Sequence, residues 1–222
     1  IKFIIIHYTG MKKESDAIRK LCDPKSKVSS HYYIKKNGNI LNLVPDLYKA
    51  WHAGKSKWKH YKSLNDHSIG IEITNPGHQH GYKNFSAKQI KSLKKLLKFL
   101  IKRYKISYRN VLGHSDISPD RKKDPGEKFP WYILAKSRLS WWHKLDQNII
   151  KKFRKKRLLF KKDEQTFINN LTKIGYIKIK QGNSKLTAKL LAKAFQRRFR
   201  QDLINGKIDK ECLLISKSLI NS

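Results

Sequence analysis

Two short apolar runs, each ending at a histidine, constrain the fold more than any other feature of the sequence. The run IKFIII leads into His7, and the run NVLG leads into His114. Apolar runs of this length are typical of strands buried inside a sheet, whereas amphipathic helices show a longer, 3.6-residue period. Both histidines are therefore expected at the ends of buried strands, where the sheet holds a side chain rigidly while it faces a cleft.

Further strands are indicated in the first half of the chain. The segment HYYIKKNGNILNLV contains two β-rich runs joined at Asn37-Gly38, which predicts a hairpin with a two-residue turn. The segment HSIGIEIT, residues 67–74, predicts another strand, in which apolar residues alternate around Glu72. Helices do not alternate regularly with these runs, so we expect a mixed sheet and not a repeated strand–helix–strand pattern.

The clearest helix is predicted to begin at Ser86, because Gln89 completes a capping box three residues later. Its apolar residues follow a 3.6-residue period, opposite a lysine-rich face, and they are Ile90, Leu93, Leu96, Leu97, Leu100, Ile101 and Tyr104. Shorter helices are predicted over 15–22 and from Pro130 onward. Residues 1–144 are therefore expected to form an α/β domain with a mixed central sheet flanked by helices.

The remainder of the chain is expected to be organised differently. Residues 145–162 are predicted to be a basic linker, which contains the stretch KKFRKKRLLFKK. Residues 163–222 predict a small all-α domain of three helices. The helical patterns lie near 163–174, 187–200 and 209–219, with Asp163, Thr187 and Asp209 as the predicted N-caps.

The composition limits the classes of protein to which the chain can belong. No run of about 18 apolar residues is present, so no transmembrane segment is expected. The start, IKFIIIH, lacks the charged region, long apolar region and cleavage site of a signal peptide. Cys22 and Cys212 do not form a disulfide framework or a cysteine zinc knuckle. The formal net charge of +35 favours polyanionic surroundings, such as nucleic acid, anionic lipid or an acidic wall polymer.

The loop that follows His114 carries further candidate metal ligands. Its sequence, GHSDISPDRKKDPG, includes two prolines that remove backbone donors and exclude regular structure. Two histidines and one carboxylate suit Zn²⁺ and leave an open fourth position for water, whose pKa then falls to about 7. The sequence is therefore compatible with a site for one zinc ion, and structural residues with satisfied hydrogen bonds are the alternative for the two histidines. Spacing alone leaves the acid open, and the candidates are Asp116, Asp120 and Asp124.

Two charged residues are candidates for the chemistry itself. Glu72 lies between Ile71 and Ile73, and burying such a carboxylate is costly unless it has a partner. Either it faces solvent on an edge strand, or it is desolvated with a raised pKa and can take a proton from an activated water. Lys122 lies two residues before Asp124 and would point into the same region, where an ammonium group could stabilise an oxyanion.

Five stretches of the first 144 residues together resemble the zinc-dependent N-acetylmuramoyl-L-alanine amidases, whose fold is shared with peptidoglycan-recognition proteins. In chain order they are HYT, VSSHYYIKKNGNILNLVPD, AWHAG, HSIGIEITNPGHQHGY and LGHSDISPDRKKDPG. The resemblance implies His7, His114 and Asp124 as ligands of one zinc ion. It also implies Glu72 as the catalytic acid/base and Lys122 as the oxyanion stabiliser. The implied reaction is hydrolysis of the amide between N-acetylmuramic acid and L-alanine by metal-activated water.

The same motifs imply residues near the substrate groove. For His31 and His52, structural hydrogen bonding is the alternative to a substrate contact. His78 and His80 are spaced like a metal-binding pair, but a Gly/Pro loop without a third ligand favours a place at the surface or the groove lip. The predicted substrate-binding residues are Tyr8, Thr9, His31, Trp51, His52 and Ala53.

The C-terminal segment resembles a peptidoglycan-binding module of three helices, in the stretches IGYIKIK, LTAKLLAKAFQRRFR and NGKIDKECLLI. Such a module would hold an enzyme on an insoluble polymer, and a helical cap on the first domain is the alternative. The expected partner is peptidoglycan or a muropeptide, with no specific nucleic acid, and a monomer is expected. The favoured location is the bacterial cell envelope, periplasmic or outer-membrane associated, with the cytoplasm left open. A peptidoglycan-binding protein without hydrolysis and a nucleic-acid-binding protein are the alternative functions.

Overall fold

The structure is a computed structural model that describes residues 1–177 and 184–222. Within these ranges it contains seven strands and eight α-helices. The strands are β1 (Phe3–Tyr8), β2 (Tyr32–Ile34), β3 (Ile40–Asn42), β4 (Lys57–Trp58), β5 (Tyr61–Lys62), β6 (Ser68–Ile73) and β7 (Val111–Gly113). The helices are α1 (Glu14–Cys22), α2 (Ala87–Tyr104), α3 (His114–Ile117), α4 (Trp131–Ala135), α5 (Gln147–Lys151), α6 (Lys161–Ile174), α7 (Ser184–Phe199) and α8 (Lys210–Ile220).

Five of the strands form one sheet in the order β3-β2-β6-β1-β7. Strand β1 runs parallel to both of its neighbours, β6 and β7, and β2 runs parallel to β6. Strand β3 is antiparallel to β2. The mixed central sheet predicted from the sequence is therefore confirmed. Because β1 and β7 are parallel neighbours, their carboxyl ends lie at the same edge of the sheet.

The predicted hairpin is confirmed as the β2–β3 pair, but its turn differs from the prediction. Gly38 N donates to Lys35 O at 2.9 Å, Lys35 N donates to Asn39 O at 2.9 Å, and Gly38 has a φ of 92°. This pattern is a type I turn followed by a glycine with positive φ, which makes a three-residue loop. A Cβ at position 38 would also lie 2.9 Å from Lys88 O, so the close approach of α2 requires glycine here.

Helix α2 covers one face of the sheet. It begins as predicted, with the Ser86 side chain accepting from Gln89 N and the Gln89 side chain closing the capping box. The apolar stripe of α2 packs against Ile4 and Ile6 of β1 and against the odd-numbered isoleucines of β6 in one buried cluster. The exposed face of α2 carries lysines. No helix within the described ranges combines the length and the apolar character that crossing a membrane requires.

The opposite face of the sheet is divided between a second apolar cluster and a polar groove. Phe3 and Ile5 of β1 are buried in a cluster with Phe167 of α6 and Phe195 of α7. His7 is the next side chain of β1 on this face and lies beyond the cluster. The C-terminal helices thus share a hydrophobic core with the sheet, and each buried phenylalanine stabilises this packing by about 1.5–3 kcal/mol.

The three C-terminal helices match the three predicted patterns, but only one predicted N-cap is confirmed. Helix α8 begins after Asp209, whose carboxylate accepts from Cys212 N at 3.1 Å. The other two predicted caps are wrong, because α6 already starts at Lys161, which places Asp163 in its first turn, and Thr187 lies inside α7. An acid in the first turn still stabilises α6 through the helix dipole. The stretch IGYIKIK ends outside the described residues.

The predicted basic linker, residues 145–162, contains helix α5 and contacts the C-terminal helices. Arg154 forms a two-pronged ion pair with Glu211 of α8, with distances of 2.7 Å and 2.8 Å. Before the linker, the helix predicted from Pro130 is present as α4 but already ends at Ala135. The division of the chain into 1–144, a linker and 163–222 stays a prediction.

Candidate active site

Two strand ends and one loop bring the candidate metal ligands together. His7 lies at the carboxyl end of β1, and His114 directly follows β7 as the first residue of α3. Both histidines thus occupy the strand-end positions that the sequence predicts. The loop after α3 folds back, because Ser115 N donates to Asp124 O at 2.9 Å. This hydrogen bond returns Asp124 to the sheet edge where the two histidines lie.

The three side chains converge on one point. His7 Nδ1 lies 2.9 Å from His114 Nδ1, and Asp124 Oδ2 lies 2.9 Å from the first nitrogen and 3.1 Å from the second. All three residues are buried. Among the described residues, they are the one group of three or more His, Cys, Asp or Glu residues whose ligand atoms lie within 4.8 Å of one another. Two imidazole nitrogens and a carboxylate oxygen are a donor set that Zn²⁺ prefers.

The other two acids of the loop lie elsewhere. Asp120 is exposed to solvent. Asp116 is buried, but its carboxylate accepts hydrogen bonds from Tyr176 and Arg198. Of the three acids that the sequence leaves open, Asp124 is the one that the structure brings to the histidines.

Burial and the contacts among the three side chains together set the protonation of this cluster. Burial, with a smaller contribution from the charge of His114, lowers the pKa of His7 to about 4. Burial alone would raise the pKa of Asp124, but the interactions with His114 and His7 hold that pKa well below its ordinary range. At neutral pH a neutral His7 imidazole therefore faces an ionised carboxylate. These are the protonation states in which such side chains bind a metal.

Hydrogen bonds on the far side of each imidazole fix its orientation. His114 Nε2 donates to Ala53 O at 3.0 Å, and His7 Nε2 lies 3.0 Å from His52 Nδ1. Such partners select the tautomer whose Nδ1 presents a lone pair to the site. The ring of His52 lies against Gly70, where a Cβ would approach it to 2.3 Å. The glycine in the middle of β6 thus makes room for the residue that orients His7.

Glu72 lies beside His7 on the same face of the sheet. The Cα atoms of the two residues are partners in the β1–β6 register, and β6 is an internal strand, so the alternative of an exposed edge strand is wrong. Glu72 Oε2 is fully buried and has no hydrogen-bond partner among the described residues. Burial raises the pKa of Glu72 to about 8, and the Asp124 carboxylate adds to this shift while Lys122 opposes it. A carboxyl group that can exchange protons near neutral pH thus lies beside the ligand cluster.

A cavity of about 390 Å³ opens over the three ligand residues. Its walls include Glu72 and Lys122 together with Tyr8, Thr9 and Trp51. The Trp51 side chain is 54% exposed and also borders a second cavity of about 640 Å³. An elongated molecule can therefore lie across the ligand cluster and extend past Trp51 into the neighbouring cavity.

Comparison with known proteins gives the family. Residues 1–127 match the family model described as N-acetylmuramoyl-L-alanine amidase. The chain belongs to this amidase family. It is 36% identical over 233 residues to the N-acetylmuramoyl-L-alanine amidase AmiD of Escherichia coli, a match that covers 99% of this chain and 82% of that protein. It is 35% identical over 149 residues to the 1,6-anhydro-N-acetylmuramyl-L-alanine amidase AmpD of Haemophilus influenzae. This match covers 59% of this chain and 79% of that protein.

Solved structures extend the likeness to the whole chain. The complex of E. coli AmiD with anhydro-N-acetylmuramic acid-L-Ala-D-γ-Glu-L-Lys superimposes with a TM-score of 0.87 at 34% identity, covering 100% of this chain and 89% of that one. The complex of Pseudomonas aeruginosa AmpDh3 with an anhydromuramic pentapeptide gives a TM-score of 0.86 at 29% identity, covering 100% and 91%. The amidase thus shares its fold with these proteins, C-terminal helices included, and it is an enzyme of the amide-hydrolase class.

Two of the predicted substrate-binding residues of the amidase do not line the groove. Ala53 is fully buried, and its carbonyl oxygen accepts from His114. His31 is also buried, with Nδ1 accepting from Gly70 N at 3.0 Å and Nε2 donating to Tyr48 O at 3.0 Å. The structure places both residues behind the groove, where they support its walls by hydrogen bonds.

Sequence reasoning missed the part that Arg121 plays in the amidase site. Its guanidinium donates to Ala53 O at 2.6 Å and to Lys55 O at 2.7 Å, so it fixes the loop whose carbonyl orients His114. In the sequence Arg121 is one of three consecutive cations of the loop, and nothing local separates it from Lys122 and Lys123. Only the folded loop shows that one of the three is used to hold backbone carbonyls.

A hydrogen-bonded row of side chains at the rim of the groove was also missed. Tyr8 Oη lies 2.8 Å from His78 Nδ1, and His78 Nε2 lies 3.1 Å from Glu127 Oε2. His78 lines the groove, in agreement with the predicted place at its lip, whereas His80 is exposed and does not line it. Glu127 accepts from His78 across 49 positions of sequence, so no local motif indicates the pair.

Replacing Glu72 by glutamine is expected to stabilise the metal-free amidase at neutral and alkaline pH. The folded-state pKa of Glu72, about 8, lies above its ordinary value of 4.5, so the folded protein keeps a proton that the unfolded chain releases. Glu72 therefore makes a contribution to stability that the wild type loses as the pH rises from 4.5 through about 8, and the glutamine variant lacks this loss. At about 1.36 kcal/mol per pKa unit, and allowing for the partial exposure of the residue, the gain is on the order of 3 kcal/mol above pH 8.

Urea denaturation of both proteins in the presence of a chelator, near pH 4.5 and near pH 8.5, measures this gain. Glu127→Gln is the matched control, because His78 lowers the pKa of Glu127 in spite of burial, and this variant should gain no stability. A difference between Glu72→Gln and wild type that does not grow with pH would contradict a buried carboxyl group at position 72.

Proposed function

We propose that this amidase cleaves the amide between the lactyl group of N-acetylmuramic acid and L-alanine, in peptidoglycan or in its soluble fragments. The observation that carries the proposal is the convergence of His7, His114 and Asp124 beneath a cavity that also contains Glu72. The molecules bound in the similar structures support the choice of bond. AmiD was solved with a muramoyl tripeptide and AmpDh3 with an anhydromuramic pentapeptide.

One Zn²⁺ ion fits the three buried side chains. The Nδ1 atoms of His7 and His114 lie 2.9 Å apart, and their lone pairs repel each other unless a proton or a cation lies between them. Three protein ligands also leave a fourth position for a reactant, as catalytic zinc sites require. A zinc ion held there would supply the Lewis acidity that activates an amide carbonyl and lowers the pKa of water.

Glu72 is proposed to move the protons of the reaction. Its pKa of about 8 lies close to neutral pH, and a cation bound by the neighbouring ligands would bring it closer. The carboxylate accepts a proton from the attacking water and delivers one to the amide nitrogen as the C–N bond breaks. One water molecule is consumed, and the products are a lactyl carboxylate and the free amino group of alanine.

Lys122 is proposed to stabilise the negative charge that develops on the carbonyl oxygen. Its side chain lines the same cavity as His7 and Glu72, which supports this role. His52 is proposed to orient His7 through their hydrogen bond. The residues proposed to contact the muramoyl peptide are Tyr8, Thr9 and Trp51.

The proposed location is the bacterial cell envelope, with the cytoplasm as the alternative, because the proposed substrate is the wall polymer or its fragments. A net charge of +35 favours association with a polymer whose stem peptides carry carboxylates. Such attraction weakens as salt screens the charges, so binding to isolated sacculi should fall with ionic strength.

Hydrolysis of defined muropeptides tests the proposal. The zinc-loaded protein is expected to release the free tripeptide from N-acetylmuramoyl and anhydro-N-acetylmuramoyl tripeptides, which mass spectrometry detects as two fragments whose summed mass exceeds the substrate by one water. A chelator should stop the reaction, and added zinc should restore it. Parallel digestion of intact sacculi shows whether the polymer or its soluble fragments are preferred. Cleavage within the peptide, or no cleavage of either substrate, would contradict the proposed bond.

A further inference from the structure

A buried hydrogen-bonded cluster joins the C-terminal helices to the segment that carries the metal ligands. Its centre is Asp116 of α3, which is 1% exposed. The Asp116 carboxylate accepts from Tyr176 Oη at 2.6 Å, from Arg198 Nη1 at 2.7 Å and from Gly113 N at 2.8 Å. Tyr176 follows α6, and Arg198 belongs to α7, so two of the three donors come from the C-terminal part of the chain.

Both donors are themselves fixed by the first part of the chain. Arg198 Nη2 donates to Val111 O in β7 at 3.0 Å, and its guanidinium carbon lies 4.1 Å from the centre of the Trp131 ring. The Tyr176 ring packs edge-on against Trp58, with 4.8 Å between centroids. The arginine is 2% exposed, so its charge is compensated by Asp116 and not by solvent. The cluster therefore links Asp116 to both parts of the chain through buried, directional contacts.

Helix α3, in turn, sets the position of the proposed functional residues. It begins at His114, and its Ser115 N holds the backbone of Asp124 at 2.9 Å. Ser118, which follows the helix, accepts from Lys122 N at 3.0 Å. A helix of four residues has no stability of its own, so its orientation depends on the contacts that surround it.

We propose that Tyr176 and Arg198 are positioning residues of the metal centre. They act through Asp116, which they hold so that α3 presents His114 and Asp124 to His7. The inference rests on the zinc site of the proposed function and extends it. It makes the C-terminal helices part of the framework of the site, and not only a module for holding the wall polymer.

The affinity for zinc in Tyr176→Phe and Arg198→Met tests the inference on the full chain. Competition with a chromogenic chelator is expected to show binding weaker by about 10- to 100-fold, the usual effect of removing a residue that supports a metal ligand. The visible absorption of the Co²⁺-loaded protein should change as well, because it reports the geometry of the ligands. Tyr176→Phe removes one hydroxyl and no charge, so it decides the question if Arg198→Met does not fold.

Two matched variants separate positioning from general loss of stability. Tyr32→Phe removes a hydroxyl that donates to the Asp46 carboxylate at 2.6 Å. This bond is of the same type and length as the one between Tyr176 and Asp116, but it lies at the far side of the sheet. Arg154→Met removes an arginine that forms an ion pair with the buried Glu211 of helix α8. Both controls are expected to lower the melting temperature while leaving the zinc affinity and the Co²⁺ spectrum as in the wild type.

The outcomes distinguish the inference from the proposed function. Wild-type zinc affinity and an unchanged Co²⁺ spectrum in both test variants would overturn the positioning role while leaving the zinc site in place. An equal loss of affinity in the controls would also overturn it, because general destabilisation would then account for the effect. A wild-type protein that binds no zinc would refute the metal site itself and, with it, the inference.

Discussion

Alanine in place of Glu72 is expected to lower kcat for muropeptide hydrolysis by about 10²- to 10⁴-fold, the usual contribution of a general acid–base. The Glu72 carboxyl group lines the cavity, and its pKa of about 8 allows it both to accept and to donate a proton near neutral pH. The other carboxylate of the cavity, Asp124, has a pKa held well below its ordinary range and is engaged by two histidines, so it cannot substitute for Glu72.

Steady-state kinetics on a muramoyl tripeptide, together with zinc analysis of the same preparation, measures this effect. Zinc content should stay close to the wild type, because the buried Glu72 Oε2 has no hydrogen-bond partner among the described residues, the three ligand residues included. Glu72→Gln should show the same loss of kcat, since the amide keeps the size of the side chain but cannot exchange the proton. Substantial remaining activity in either variant would remove Glu72 from its proposed role.

Loss of the Asp124 carboxylate is expected to abolish stoichiometric zinc binding and, as a result, hydrolysis. The structure supports this expectation because Asp124 Oδ2 lies within 3.1 Å of both imidazole Nδ1 atoms and supplies the negative charge of the cluster. Removing a direct ligand should weaken binding by more than the roughly 10- to 100-fold typical of a supporting residue. Zinc content after dialysis, followed by competition with a chelator, measures the change in Asp124→Ala.

Asp120→Ala is the matched control for this prediction, because Asp120 is an exposed acid of the same loop and its loss should leave zinc content unaltered. Unchanged zinc in Asp124→Ala would refute Asp124 as the third ligand and would move that role to Asp116 or Asp120. Asp116 could take it only by giving up its hydrogen bonds to Tyr176 and Arg198.

The parts of the fold that follow from local pattern were predictable from the sequence. The capping box at Ser86 and the apolar stripe after it define α2, and the apolar runs before His7 and His114 define β1 and β7. Because both histidines end parallel neighbouring strands, strand prediction and the resemblance together bring the ligand set to one edge of the sheet. The hairpin was found from its glycine, although the length of its turn was not.

The hydrogen bonds that hold α3 could not be predicted, because they join residues that are distant in sequence. Asp116 meets Tyr176 across 60 positions and Arg198 across 82. In the sequence Arg198 is one cation among 51, and only the folded structure shows that it and Arg200 are buried. The predicted caps at Asp163 and Thr187 were wrong because both residues lie inside helices, α6 and α7, whose apolar side chains are buried in the shared core.

Strand β1 contributes side chains to both faces of the sheet. Ile4 and Ile6 enter the apolar cluster under α2, whereas Phe3, Ile5 and His7 lie on the opposite face. A single replacement in β1 can therefore change the packing on one face of the sheet without changing the side chains on the other face. Deleting or inserting one amino acid between positions 3 and 7 would exchange the two sets, turning isoleucines toward the groove and the imidazole toward α2. Evolution and protein engineering can thus vary the composition of this strand, but its length is fixed by both the core and the catalytic centre.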